Sequence, residues 1–178
     1  MCAVCARRGI IKAMEPRRIS YIRNFIFGVE DSLVSTVGLL SGVAVAGTEV
    51  KTIILAGVVL IFVEAFSMGA GSMLSENTSA EVALGSAQPL GHSFFSGLVM
   101  FVSYFAAGFI PLLPYLLLPV GTAFWASIGA SLTALLILGV VGAKIARISP
   151  LRQGLEMLII GGVAIALGAA VGTFVSGF

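Results

Sequence analysis

The stretch IILAGVVLIFVEAFSMGAGSML, from Ile53 to Leu74, decides the fold of this chain, because it is almost continuously apolar and carries one charged side chain, Glu64. A helix of about 20 apolar residues crosses the roughly 30 Å hydrocarbon core of a bilayer. Strands of a membrane barrel would instead appear as short segments of alternating hydrophobicity. The stretch therefore predicts a transmembrane helix.

The rest of the chain has the same character, with 58% apolar and only 10% charged residues, against about 25% charged residues in soluble domains. Inside lipid, backbone polar groups must pair within a helix or a closed barrel. We therefore predict an all-α membrane protein with five transmembrane helices. The predicted spans are Phe25–Gly47, Ile53–Leu74, Phe94–Leu118, Gly121–Ala143 and Leu155–Ser176. The predicted connections are Thr48–Thr52, Ser75–Ser93, a tight turn at Pro119, and Lys144–Gly154. Pro111 and Pro114 are expected to bend the end of the third span, since proline lacks a backbone N–H.

The basic residues predict the orientation, because lysine and arginine accumulate in the short cytoplasmic flanks of membrane proteins. Those of the N-terminal tail and the fourth connection lie on one side: Arg7, Arg8, Lys12, Arg17, Arg18, Arg23, Lys144, Arg147 and Arg152. Only Lys51 lies on the other side. The N-terminus is therefore expected to be cytoplasmic and the C-terminus outside or luminal. Residues 1–24 are expected to form a basic tail that touches anionic headgroups, and residues 25–178 one transmembrane domain.

Carboxylates inside the first predicted span are the strongest functional signal. A charge in mid-membrane costs about 2.5–3.5 kcal/mol on insertion scales, so such residues usually mark an ion or proton path. Asp31 and Ser35 share one helix face, and Gly38 and Gly42 continue it as a small-xxx-small pair that lets another helix approach. Glu30 is a secondary candidate, since it lies nearer the cytoplasmic end and could extend toward the headgroups.

The second predicted span places a carboxylate and a thioether together. Glu64 and Met68 are one helical turn apart, about 6 Å along the axis. Hard oxygen and soft sulfur together suit a borderline transition metal such as ferrous iron better than calcium or magnesium. Two alternatives to a metal-binding role stay open. One is that Met68 only packs against its neighbours, and the other is that Glu64 is a protonated structural carboxyl held by hydrogen bonds.

Four segments resemble the vacuolar iron transporter family, which includes nodulin-like proteins. GVEDSLVSTVGLLSGVA, residues 28–44, resembles the first span of that family, and SMGAG, residues 67–71, looks like its second-span signature. LTALLILG, residues 132–139, and MLIIGG, residues 157–162, are similar to its last two spans. The resemblance covers most of the chain from Arg23 onward.

The resemblance implies a five-span homodimer that moves ferrous iron, often manganese too, out of the cytosol in exchange for protons. It also implies that Asp31 and Met68 line the ion path near the dimer axis. Two positions depart from the family pattern, which has glutamate where this chain has Leu60 and Ser72. Glu64 keeps a carboxylate on roughly the same face but one turn closer to Met68, so the metal geometry is expected to differ.

Weaker metal candidates lie on the cytoplasmic side. Many family members carry a glutamate-rich metal-binding domain between the second and third spans, and the connection here is too short for it. The connection offers only Glu76, Glu81 and His92 as possible metal ligands. The alternative is that these residues belong to a solvated loop that binds no metal. Cys2 and Cys5 supply half of the usual four zinc ligands, and a reduced tail is the alternative there.

The sequence thus favours a proton-coupled exporter of divalent transition metal, with Asp31, Glu64 and Met68 on the path. We expect Fe²⁺ or Mn²⁺ only as the transported ligand, with no permanently bound cofactor, no enzymatic activity and no nucleic-acid partner. We expect a homodimer through the first two helices. A prokaryotic plasma membrane is favoured over a vacuolar one. A membrane scaffold or partner subunit and a cation channel remain the alternatives.

The remaining predicted packing positions are Gly69, Gly71, Gly168 and Gly172, with Tyr104 and Tyr115 as packing or interfacial aromatics.

Overall fold

The computed structural model describes residues 16–84 and 90–177 of the chain. Over these residues it contains five helices in chain order: α1 Pro16–Val45, α2 Val50–Leu84, α3 Leu90–Leu117, α4 Val120–Ala146 and α5 Pro150–Ser176. All five are long and apolar enough to cross a membrane. The prediction of an all-α protein with five transmembrane helices is confirmed.

Two helices extend much further than the predicted spans, both at the same end of the bundle. α1 begins at Pro16, so residues 16–24 are helical, although the sequence predicted a tail there. α2 continues to Leu84, so most of the predicted connection between the second and third spans is helical. Polar side chains of the two extensions pair with each other: Ser20 Oγ donates a 2.6 Å hydrogen bond to Glu76 Oε1. Hydropathy detects only the apolar part of such a helix.

The end of the bundle where α1 begins carries most of the basic side chains, and we call it the basic end. It holds Arg18 and Arg23 of α1, Lys144 of α4, and Arg147 and Arg152 of the connection to α5 and its first turn. Lys51 lies at the opposite end, at the start of α2. The cytoplasmic location of the basic end stays a prediction.

Helix α3 packs against α1, α2 and α4. It remains helical through Pro111 and Pro114 and ends at Leu117. Near the end opposite the basic end, its Leu112 and Tyr115 join an apolar core with α1, α2 and α4. The buried members of this core are Leu40, Ile53, Ile61, Leu112, Tyr115 and Ala123. A second core joins α1 and α3 to α4 and α5 through Leu33, Ala107, Leu135 and Met157.

Helices α1 and α5 approach each other closely at glycines. A Cβ atom added to Gly42 would lie 2.6 Å from the carbonyl oxygen of Gly168, and one on Gly38 would lie 3.2 Å from that of Ala164. A Cβ atom on Gly172 would overlap the Gly42 carbonyl group. The two small-xxx-small pairs therefore face each other within one protomer. Gly38 and Gly42 therefore pack against α5 of the same protomer, and the homodimer through the first two helices stays a prediction.

Candidate functional site

The candidate site lies where α1, α2 and α3 meet, at the level of the two predicted carboxylates. Asp31 is close to the middle of α1, and Glu64 lies on α2. The two carboxylates are close enough to interact as charges. Both are half-buried in the protomer. The structure therefore brings together two acidic residues that lie about 33 positions apart in the sequence, on different helices.

Tyr104 of α3 completes this cluster. Its side chain is fully buried, and its hydroxyl is 2.7 Å from Ser35 Oγ. Both Asp31 and Glu64 are close enough to interact electrostatically with this hydroxyl. Ser32, one position after Asp31, donates a 2.6 Å hydrogen bond to the Tyr104 backbone carbonyl and fixes α1 against α3. The cluster thus offers two carboxylates, a phenol and a serine hydroxyl.

The remaining predicted ligands lie nearby along the helices. Met68 is half-buried and lies one turn from Glu64 toward the basic end. Glu30 is half-buried and next to Asp31 in α1. Among the residues that the structure describes, no three His, Cys, Asp or Glu side chains form a group that could hold a metal ion.

Between the carboxylates and the basic end, polar side chains of α1, α2 and α3 form a second cluster. We name Ser20, Asn24, Ser72, Glu76 and Ser96 the polar cluster. Asn24 Nδ2 lies 2.6 Å from Ser96 Oγ and 2.8 Å from Ser72 Oγ, and so joins three helices. Ser20 of α1 bonds to Glu76 of α2 one turn further toward the basic end. The polar cluster and the carboxylates lie along the same antiparallel pair, α1 and α2.

The weaker predicted metal candidates do not assemble in the described part of the chain. Glu76 bonds to Ser20, while Glu81 is exposed and accepts a 3.0 Å hydrogen bond from Asn77 of its own helix. The side chain of His92, together with Cys2 and Cys5, lies outside the described residues. Of the predicted packing glycines on α2, Gly69 contacts Phe101 of α3, whereas Gly71 has open space where a Cβ would be.

Comparison with known proteins identifies the family. A model of the VIT family matches residues 22–89 and 82–173, which is most of the chain. The chain belongs to the VIT family. The vacuolar iron transporter cccA of Arthroderma benhamiae is 33% identical over 81 residues, which cover 40% of this chain and 29% of that protein. The chain therefore spans less than a third of this curated relative. Membership of a transporter family agrees with the predicted role in metal transport.

Sequence reasoning missed two residues of this VIT-family site. Tyr104 was interpreted as a packing aromatic, although a tyrosine inside an apolar helix needs a partner for its hydroxyl. Asn24 was assigned to the tail because it precedes the first apolar run. The signal that could have revealed it is the i, i+4 spacing of Ser20 and Asn24 in α1, matched by that of Ser72 and Glu76 in α2. A polar helix face of this kind needs a polar partner when it is buried.

Proposed function

We propose that this protein is a proton-coupled transporter that exports a divalent transition metal, ferrous iron and also manganese, from the cytosol. The observation that carries the proposal is the pair of interacting carboxylates, Asp31 and Glu64, near the middle of the bundle of a VIT-family chain. Acidic residues inside a membrane are costly, and where they are present they usually serve ions or protons. The name of the relative from Arthroderma benhamiae supports iron as the substrate.

Competition for the same oxygen atoms explains the coupling. A carboxylate can hold a metal ion or a proton, and metal ligands must be deprotonated to bind. A metal ion that reaches Asp31 and Glu64 therefore displaces their protons, and protons arriving from the far side displace the metal. Met68 adds a soft sulfur, which favours iron over calcium or magnesium. The phenol of Tyr104 adds a hydroxyl dipole close to both carboxylates.

We further propose that the working unit is a homodimer in which α1 and α2 of both copies meet. Asp31 and Glu64 are half-buried in the protomer, and a lipid-facing carboxylate at this depth would cost about 2.5–3.5 kcal/mol or more. A second copy would cover them and bring the number of carboxylates around one path to four. We also propose that the basic end is cytoplasmic and that the chain resides in a prokaryotic plasma membrane.

Flux measurements on purified protein in vesicles test the proposal. With an acidic interior, external ferrous iron is expected to enter through protein whose basic end faces outward, while internal pH rises. Asp31→Asn keeps the shape and polarity of the side chain but cannot take up charge or exchange a proton. We expect it to abolish both signals, whereas Glu156→Gln, which removes an exposed carboxylate paired with Arg152, should leave them intact.

Three outcomes contradict parts of the proposal. Absence of flux from correctly inserted wild-type protein would indicate a scaffold or partner subunit. Ferrous entry without any change of internal pH would indicate a channel. Wild-type flux in Asp31→Asn would show that Asp31 has a structural role only.

A further inference from the structure

We propose that the polar cluster is the gate at the basic end of the ion path, and that Asn24 is the residue that keeps it closed. This inference deepens the proposed function and rests on it for the identity of the ion. The gate itself is a statement about access to the path, which can be measured whether or not iron is transported.

The position of the polar cluster between solvent and site is the first argument. Asn24 precedes Asp31 by seven residues, or about 10 Å along a helix. On α2, the antiparallel order runs from Glu76 and Ser72 through Met68 to Glu64. Since Ser20 bonds to Glu76 and Asn24 to Ser72, the same register brings Met68 to the level of Gly28, between the polar cluster and the carboxylates. An ion that follows the α1–α2 seam from the basic end to the carboxylates therefore passes the level of Asn24.

Closure is the second argument. Asn24 is 3% exposed and Ser96 is fully buried. One amide group makes contacts with three side-chain or backbone oxygens on two other helices, including a 3.4 Å contact to the Ser96 carbonyl oxygen. Loss of these contacts would remove a link from α1 to α2 and to α3 together, and would leave the Ser20–Glu76 hydrogen bond beside it. A single side chain therefore joins all the helices that line this part of the seam.

The contrast between the two ends of the bundle is the third argument. Beyond the carboxylates, α1, α2 and α3 are joined by the apolar core around Leu40, Ile61 and Leu112. Opening that core exposes apolar surface to water, which is unfavourable. Opening the polar cluster exposes hydroxyl and amide groups, which exchange their protein hydrogen bonds for bonds to water at a small net cost. The structure is thus built to admit water and ions from the basic end first.

Cysteine accessibility tests the gate. The parent is a variant in which Cys2 and Cys5 are replaced by serine and Met68→Cys is the reporter. A membrane-impermeant methanethiosulfonate is added to one side of oriented vesicles at a time. We expect slow modification from the basic end. Asn24→Ala should accelerate it about tenfold or more, the factor expected for the loss of one to two net hydrogen bonds.

Two matched variants interpret this result. Asn77→Ala removes the same side chain at the same end of the bundle, but Asn77 bonds only to Glu81 of its own helix in the described structure, so the modification rate should not change. Ser96→Ala is a milder change that removes one hydroxyl and should accelerate modification about fivefold. Because this variant keeps Asn24 in place, it tests the gate even if Asn24→Ala fails to fold.

The outcomes separate the gate from the transport proposal. The gate would be overturned if Asn24→Ala is modified from the basic end at the same rate as the parent. If Asn24→Ala does not fold, the same result for Ser96→Ala would overturn it. Acceleration by Asn24→Ala or Ser96→Ala from the opposite end alone, with no change from the basic end, would also overturn it. Accelerated modification from the basic end supports the gate even when vesicles show no iron flux, in which case only the proposed substrate fails. Flux in the wild type together with unchanged accessibility retains the transporter and rejects the gate.

Discussion

Replacement of Gly42 by alanine tests whether α1 packs against α5 of its own chain. An added Cβ would lie 2.6 Å from the carbonyl oxygen of Gly168, whereas carbon–oxygen contacts between packed helices are about 3.3–3.6 Å. The backbone of one helix must therefore move by about 0.7–1.0 Å. The obstructing atom belongs to the backbone, so no side-chain rotation can relieve the overlap.

The expected loss of stability follows from two opposing effects. Overpacking of this kind costs about 1–3 kcal/mol, and alanine regains up to about 1 kcal/mol over glycine through helix propensity. We expect Gly42→Ala to be destabilised by about 1–2 kcal/mol. Gly129→Ala in α4 is the matched control, because a Cβ at Gly129 meets no atom within 4 Å. It should be as stable as the wild type or slightly more stable.

Thermal unfolding in detergent, followed by size-exclusion chromatography of the surviving protein, measures the difference. Gly42→Ala should unfold at a lower temperature than Gly129→Ala. The double variant Gly42→Ala/Gly168→Ala should lose less than the sum of the single changes, since the first alanine has already separated the helices. Equal stability of Gly42→Ala and Gly129→Ala, with a reduced dimer fraction for Gly42→Ala, would refute the reasoning and place Gly42 at the interface between copies.

The remaining predictions concern the carboxylate cluster and use the same vesicle flux assay. Glu64→Gln should weaken metal uptake and proton exchange together, and Leu60→Glu combined with Glu64→Gly should restore part of both, since the two positions differ by one turn and by little in direction. Normal coupled transport by Glu64→Gln would make Glu64 a packing residue. Tyr104→Phe should reduce uptake severalfold while folding is retained, because Ser35 and both carboxylates lose a hydroxyl neighbour. Tyr115→Phe removes a buried hydroxyl that has no hydrogen-bond partner in the described structure, so it should transport like the wild type, and equal uptake by both tyrosine variants would contradict a role for Tyr104.

The ends of the helices show where sequence patterns lose their predictive value. Hydropathy located all five spans because lipid imposes continuous apolar runs of a fixed minimum length. It could not locate the start of α1 at Pro16 or the end of α2 at Leu84, since those turns are polar. Their stability comes from contacts such as that between Ser20 and Glu76, which join residues far apart in sequence.

The chain by itself determined the class of protein, the number of spans and the acidic residues inside them, because each follows from the local cost of placing apolar or charged groups in lipid. Which side chains meet was decided only by the tertiary structure. Asp31, Glu64 and Tyr104 come from three helices and become neighbours only when α1, α2 and α3 pack against one another. The glycine stripe of α1 could have faced any helix, and the position of Gly168 on α5 decides that it packs within the protomer. Helix faces are encoded by spacing along the chain, but the partner of each face depends on how all five helices pack together.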